Sequence, residues 1–167
     1  MVHVYTGSGK GKTTAAIGLA VRAVGADMKV FIGQFVKGMK YSELTTLSKI
    51  ENIDIKQYGL DCFIVNEPEE KDIKAARCGL KEVSSILKSG DYQLVILDEA
   101  NIAVYFKLFS VQELLKAIEE RAEGVEVVVT GRKADPELIE YADLVTEMNE
   151  IKHYYKHGVQ ARKGIEK

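Results

Sequence analysis

Thr6-Gly7-Ser8-Gly9-Lys10-Gly11-Lys12-Thr13-Thr14 follows the apolar run Val2–Tyr5 and leads into Lys12–Val24, where Ala15, Ala16, Leu19, Ala20 and Ala23 recur at helical spacing. Strand, glycine-rich turn and helix in that order make a phosphate-binding loop. The strand aims the turn, the glycines let backbone N–H groups curl around phosphate oxygens, and the helix N-terminus adds its positive dipole end. Gly7, Ser8, Gly9, Lys10, Gly11, Lys12, Thr13 and Thr14 are the expected phosphate contacts, with the Lys12 charge on the phosphates and the Thr13 hydroxyl on Mg²⁺. The standard spacing puts a glycine where this chain has Thr6, so the loop counted from Gly7 is one residue short.

Outward from the loop, strand-like and helical segments alternate. Strands are expected at Val2–Tyr5, Lys29–Phe35, Asp54–Tyr58, Tyr92–Leu97, Val125–Thr130 and Leu144–Met148. Helices are expected at Lys12–Val24, at Tyr41–Lys49, and from about Glu67 to Lys88 with Asn66 as N-cap and Gly90 as stop. Ser110 and Glu113 have capping-box spacing, with Phe109 and Leu114 placed as a hydrophobic staple. Asp135-Pro136 reads as N-cap and first helical residue. The alternation predicts an α/β fold with a mostly parallel sheet and helices on both faces, in one domain over 1–167.

Ligands of such sheets bind beyond the carboxyl ends of the strands. Polar clusters at expected strand ends are the loop, Gln34–Gly38, Asp98-Glu99 and Thr130-Gly131-Arg132, and they should converge. Asp98-Glu99 after an apolar strand suits the Mg²⁺ side of a phosphate site; the lesser alternative is an acidic helix cap, and Glu99 could instead activate a water. Arg132, Lys10 and Lys37 are either further phosphate contacts or solvated surface cations. His153 and His157 lie four apart without a third metal ligand nearby, and suit a loop or subunit contact. The net charge of −2 speaks against non-specific nucleic-acid binding, and no apolar run is long enough to span a bilayer. The two cysteines, Cys62 and Cys78, lack metal-ligand spacing. No secretory leader is read at the N-terminus, so reduced thiols and a cytoplasmic location are expected.

Taken in order, these segments resemble the P-loop cob(I)alamin (corrinoid) adenosyltransferases. The resemblance runs through residues 6–16, Arg22-Ala23-Val24-Gly25, Gln34-Phe35-Val36-Lys37-Gly38, Leu97-Asp98-Glu99 and Thr130-Gly131-Arg132. It continues through Ala142–Met148, Lys152-His153, Gly158-Val159-Gln160-Ala161 and Gly164-Ile165-Glu166. The resemblance implies a three-layer P-loop (RecA-like) fold. It implies transfer of the 5′-deoxyadenosyl group of ATP to Co(I) of a reduced corrinoid, cobalamin or a precursor, with release of triphosphate. ATP would lie in reverse, its γ-phosphate where other P-loop proteins hold the α-phosphate. Gln34 and Lys37 would join the loop in holding ATP; Thr13, Asp98 and Glu99 would hold Mg²⁺; Lys12 and Arg132 would stabilise the leaving triphosphate.

Similar enzymes also displace the lower cobalt ligand with an apolar wall so that a flavin-type donor can reduce Co(II). The wall is a Gly-Phe-x-Trp-like segment in the family. Here the matching stretch is Gly59-Leu60-Asp61-Cys62-Phe63-Ile64; the chain has no tryptophan, and Phe63 is the candidate wall. Only five residues precede Thr6, so the N-terminal lid of some relatives is not expected, and residues 59–66 or the tail would close the site. The resemblance implies a homodimer. The rival expectations are a P-loop ATPase or kinase, and a non-catalytic module that binds ATP or corrinoid.

Overall fold

A computed structural model describes residues 1–39, 41–60 and 67–166. In chain order the elements are β1 (Val2–Thr6), α1 (Lys12–Val24), β2 (Val30–Phe35), α2 (Ser42–Leu47), β3 (Ile53–Tyr58), α3 (Glu70–Ser89), β4 (Leu94–Asp98), α4 (Ala100–Tyr105), α5 (Val111–Glu119), β5 (Glu126–Thr130), α6 (Pro136–Tyr141) and β6 (Leu144–Glu147). Among the described residues the strands form one six-stranded sheet in the order β3-β2-β4-β5-β1-β6. Every pairing is parallel. Parallel strands need crossovers, which the intervening helices supply, so the expected α/β class is observed.

Side-chain alternation divides the sheet into two faces. Ala16, Ala20 and Ala23 of α1 and Leu47 of α2 pack with Val30, Ile32, Leu94, Ile96 and Val128. Residues of α3 to α6 pack with the out-of-phase set Val2, Val4, Phe31, Phe35, Val95, Leu97, Val127 and Val129. The alanine stripe brings α1 close to the strands, as its spacing predicts. β5 sits between β1 and β4. The loop-bearing and acid-bearing strands are therefore two strand spacings apart, roughly 10 Å. That gap is wide enough for a ligand and narrow enough for side chains to bridge.

The boundaries differ from expectation where local chemistry decides. α3 starts at Glu70 rather than Glu67, with Glu69 as N-cap, its N–H donating to the Asp72 carboxylate at 2.8 Å. Pro68 disfavours helical backbone at Glu67, so the helix waits for the next usable cap. Asn66 lies outside the described residues. Gly90 ends α3 in the left-handed conformation (φ 71°), as read. α4 has six residues, too short to show periodicity in sequence. The Ser110–Glu113 capping box forms, with the Ser110 N–H donating to Glu113 at 2.7 Å and the Glu113 N–H to Ser110 Oγ at 3.2 Å. Phe109 and Leu114 are both buried in the same cluster. Asp135 caps α6 by accepting the Glu137 N–H at 2.9 Å, with Pro136 in the first turn. Among the described residues no helix is long and apolar enough to cross a membrane.

Two helical glycines make opposite predictions. Gly18 of α1 has open space where a Cβ would go, whereas a Cβ on Gly79 of α3 would lie 2.4 Å from Tyr58 Cγ. Gly18→Ala should stabilise by about 0.5–1 kcal/mol through helix propensity. Gly79→Ala should destabilise by about 1–3 kcal/mol, because overpacking outweighs the same propensity gain. Urea unfolding of both variants checks the sign of each change.

Candidate functional site

Thr6 closes β1 instead of opening the loop. It pairs with Glu147, and its Oγ1 accepts the Ala134 N–H at 3.4 Å. The turn proper is Gly7–Gly11, with positive φ at Gly7 (98°) and Gly11 (123°). The chain beyond β6 crosses it. The Met148 N–H donates to Thr6 O at 2.9 Å, and the Gly9 N–H to Met148 O at 2.7 Å. A Cβ on Gly7 would come 2.4 Å from Met148 O, and one on Gly9 2.8 Å from the same atom. Gly7 and Gly9 are thus required by the protein's own backbone, and the Gly9 amide is already engaged.

Lys12 is buried beneath the turn. Its ammonium donates to Gly7 O at 2.8 Å and to Gly9 O at 2.7 Å, pinning the loop. Burial pulls its pKa down, with the Arg132 charge acting in the same direction and Glu99 and Asp98 opposing. Ser8 is exposed on the turn and Thr14 in the first turn of α1. Lys10 is exposed too, and its Nζ donates to Ile165 O at 2.9 Å. The tail therefore lies along the outer side of the loop. It is tied internally by a Tyr154 hydroxyl bond to Glu166, by the Arg162–Glu166 ion pair at 3.1 Å, and by Arg162 stacked 5.0 Å over the Tyr154 ring.

The second half of the site is built on Asp98, at the end of β4 and 1% exposed. Gln34 pairs with Asp98 across the sheet, and the side chains of Gln34, Asp98 and Thr130 alternate onto the α1 face. Among the described residues four donors reach the carboxylate. Oδ1 accepts from Thr13 Oγ1 at 2.8 Å and Thr130 Oγ1 at 2.7 Å. Oδ2 accepts from Gln34 Nε2 at 3.1 Å and Lys37 Nζ at 2.7 Å. Lys37 reaches Asp98 because the backbone turns at Val36, a β-branched residue at φ 58°. Gly59 leaves room for that turn: a Cβ there would lie 2.4 Å from Lys37 N. Burial draws the Lys37 pKa down, but Asp98, through its charge and hydrogen bond, more than offsets it, and the net shift is upward.

Glu99 also adopts a left-handed backbone, at φ 59°. Its N–H donates to Thr130 Oγ1 at 3.1 Å, so one hydroxyl fixes both acids. Burial, reinforced by Asp98, raises the Glu99 pKa. Asn101, fully buried, holds Gly131 O at 3.0 Å and shapes the Thr130–Arg132 turn. Arg132 is exposed at the rim, close enough to bias Lys12 and Glu99.

The four strand-end clusters converge as predicted, through Asp98 and Glu99. Lys10 turns to the tail. Thr130 belongs to one of the expected strand-end clusters but is given no partner from sequence; strand parity with Asp98 could have supplied it, whereas nothing local marks Asn101. Phe63 and Cys62 lie outside the described residues, and of the wall segment only Gly59 and Leu60 are described. His153 caps a short 3₁₀ turn, Tyr154–His157, through Nδ1. Among the described residues no group of three His, Cys, Asp or Glu is placed to hold a metal, and Cys78 is an exposed free thiol. A helix N-terminus, a desolvated ammonium and a hydroxyl–carboxylate pair can together hold a polyphosphate.

The raised Glu99 pKa has a definite sign for stability. The folded protein binds this proton more tightly than the unfolded chain. Its contribution therefore falls as pH rises from about 4.3, the unfolded value, through the raised folded value. Metal- and nucleotide-free Glu99→Gln should be more stable than wild type at pH 7, with the difference closing below about pH 4. Denaturant titrations across that range check it.

Residues 1–166 match the family described as ATP:corrinoid adenosyltransferase BtuR/CobO/CobP. The chain is 37% identical over 165 residues to a Pseudomonas aeruginosa protein named corrinoid adenosyltransferase, covering 98% of this chain and 81% of that one. It is 32% identical over 166 residues to an Escherichia coli protein of the same name, covering 99% and 85%. Among solved structures, a KaiC-like protein from Pyrococcus horikoshii superposes with a TM-score of 0.56 at 17% identity, over 91% of this chain and 74% of that one. At that identity the likeness speaks for fold alone, and it agrees with a three-layer, RecA-like P-loop architecture. The match across 1–166 and the two likenesses over nearly the whole chain show that the protein belongs to the ATP:corrinoid adenosyltransferase family.

Proposed function

We propose that the protein transfers the 5′-deoxyadenosyl group of ATP to Co(I) of a reduced corrinoid and releases triphosphate. The observation that carries this reading is the joining of the loop to the Asp98 carboxylate through Thr13, within a chain of this family. Gly7–Thr14 holds the triphosphate, with Gln34 and Lys37 beside it. Lys12 exchanges the Gly7 and Gly9 carbonyls for phosphate oxygens. The short loop grips ATP in reverse, leaving C5′ open. Co(I) attacks C5′ as the C5′–O bond breaks, and the electron pair leaves with the triphosphate. Lys12, once it has exchanged the Gly7 and Gly9 carbonyls, faces the charge that builds there together with Arg132 and the loop amides other than that of Gly9, and these groups stabilise it. No serine or cysteine nucleophile is required, because the corrinoid supplies the nucleophile.

Mg²⁺ fits the donors present. Thr13 and Asp98 offer hard oxygens 2.8 Å apart, Glu99 is adjacent, and the Lys37 ammonium already stands at Asp98 as a cation. One or two carboxylates plus phosphates is the usual Mg²⁺ set. Bound there, the ion would neutralise triphosphate charge. Phe63 is proposed as the apolar wall beside the corrinoid, a flavin-type protein as electron donor, and the working form as a cytoplasmic homodimer of one domain per chain.

Incubation with MgATP and chemically reduced cobalamin should yield light-sensitive adenosylcobalamin and stoichiometric triphosphate. Orthophosphate as the sole phosphate product would sink the proposal. Lys12→Ala should cut turnover by about 10²-fold or more while remaining folded by circular dichroism. Wild-type turnover in that variant would place the phosphate site elsewhere.

A further inference from the structure

The buried Asp98 carboxylate has one cationic partner among the described residues, Lys37, at 2.7 Å. The same ammonium lies 3.5 Å from Thr13 Oγ1. Those are the two oxygens assigned above to the metal. An ammonium and a divalent cation cannot share them, since like charges at contact distance repel strongly in a site shielded from water. Metal ions alone offer the ammonium nothing in exchange. A polyphosphate does, because it brings acceptor oxygens and negative charge to the same place.

The backbone beside Lys37 is strained. Val36 is held in the left-handed region that a β-branched residue avoids, and such strain persists only where surrounding contacts enforce it. Here the contacts include the Lys37–Asp98 pair itself. The Tyr41 ring lies 5.3 Å from Nζ while the ammonium is on Asp98, a cation–π partner that does not depend on the carboxylate.

We propose that Lys37 is a resident counter-ion of the metal site, which holds Asp98 and Thr13 closed to free divalent cations until a polyphosphate draws the ammonium away, so that metal binding depends on nucleotide. The inference rests on the metal-site assignment under Proposed function.

Equilibrium dialysis with Mn²⁺, with and without ATP, tests it. Without ATP, wild type should retain little Mn²⁺, and Lys37→Met should bind Mn²⁺ at least about tenfold more tightly. Lys37→Gln, which keeps a donor but no charge, should show the same gain, and thermal melts establish that both variants are folded. Adding Asp98→Asn to Lys37→Met should abolish the gain. Wild type that binds Mn²⁺ alone as tightly as Lys37→Met overturns the proposal. So does a failure of both Lys37 variants to gain affinity; if Asp98→Asn still weakens ATP-dependent Mn²⁺ retention in that case, the metal site stands and only the counter-ion role falls. If Asp98→Asn leaves ATP-dependent retention unchanged, the metal-site assignment falls with it.

Discussion

A carboxylate taken out of water and left without partners costs several kcal/mol, and the end of β4 is arranged around meeting that cost at Asp98. Its partners come from β2, the turn after β2, the first turn of α1 and the end of β5. Each of those elements must therefore keep its register. A one-residue slip of β2 against β4 would send Gln34 to the opposite face and leave Oδ2 short of a donor. The insertion of β5 between β1 and β4 follows the same logic, because it brings Thr130 beside Asp98 and sets the span that Thr13 reaches across. The hydrophobic faces determine that a sheet forms; the buried acid fixes how its ends line up.

Much of this was legible in the residues. α1 announces itself by its alanines, and the capping box at Ser110 and the Asp135-Pro136 start are local signals that need no tertiary context. The convergence of polar strand ends follows from parallel topology alone. What escaped reading was settled by short-range exceptions or by distant contact. Pro68 shifted the start of α3, and α4 was too short to show a period. The hydroxyl of Thr130 looks like any β-branched strand residue until its parity with Asp98 is counted. Lys10 sits in a phosphate-loop motif and yet bonds the far end of the chain at Ile165, a pairing that no local window contains.

The likeness to the Pyrococcus horikoshii protein at 17% identity shows how little sequence this architecture demands. Function in such a frame resides in the few side chains at the carboxyl ends. Under the proposed function the chemistry runs through Lys12, Thr13, Asp98 and the turns that aim them, and not through the sheet.

The crossing of Met148 over the loop alters what the glycines of a phosphate-loop motif can testify to. Gly7 and Gly9 have no room for a side chain whether or not a nucleotide ever binds. A descendant of this chain that had abandoned ATP would still be held to both glycines by its own backbone, and a pattern search would still recognise it. Lys12 is under a different constraint: no close backbone approach requires it, and its partners without a ligand are the loop carbonyls of Gly7 and Gly9. In judging whether a divergent copy remains an enzyme, the lysine is the informative letter of the motif and the glycines are close to silent.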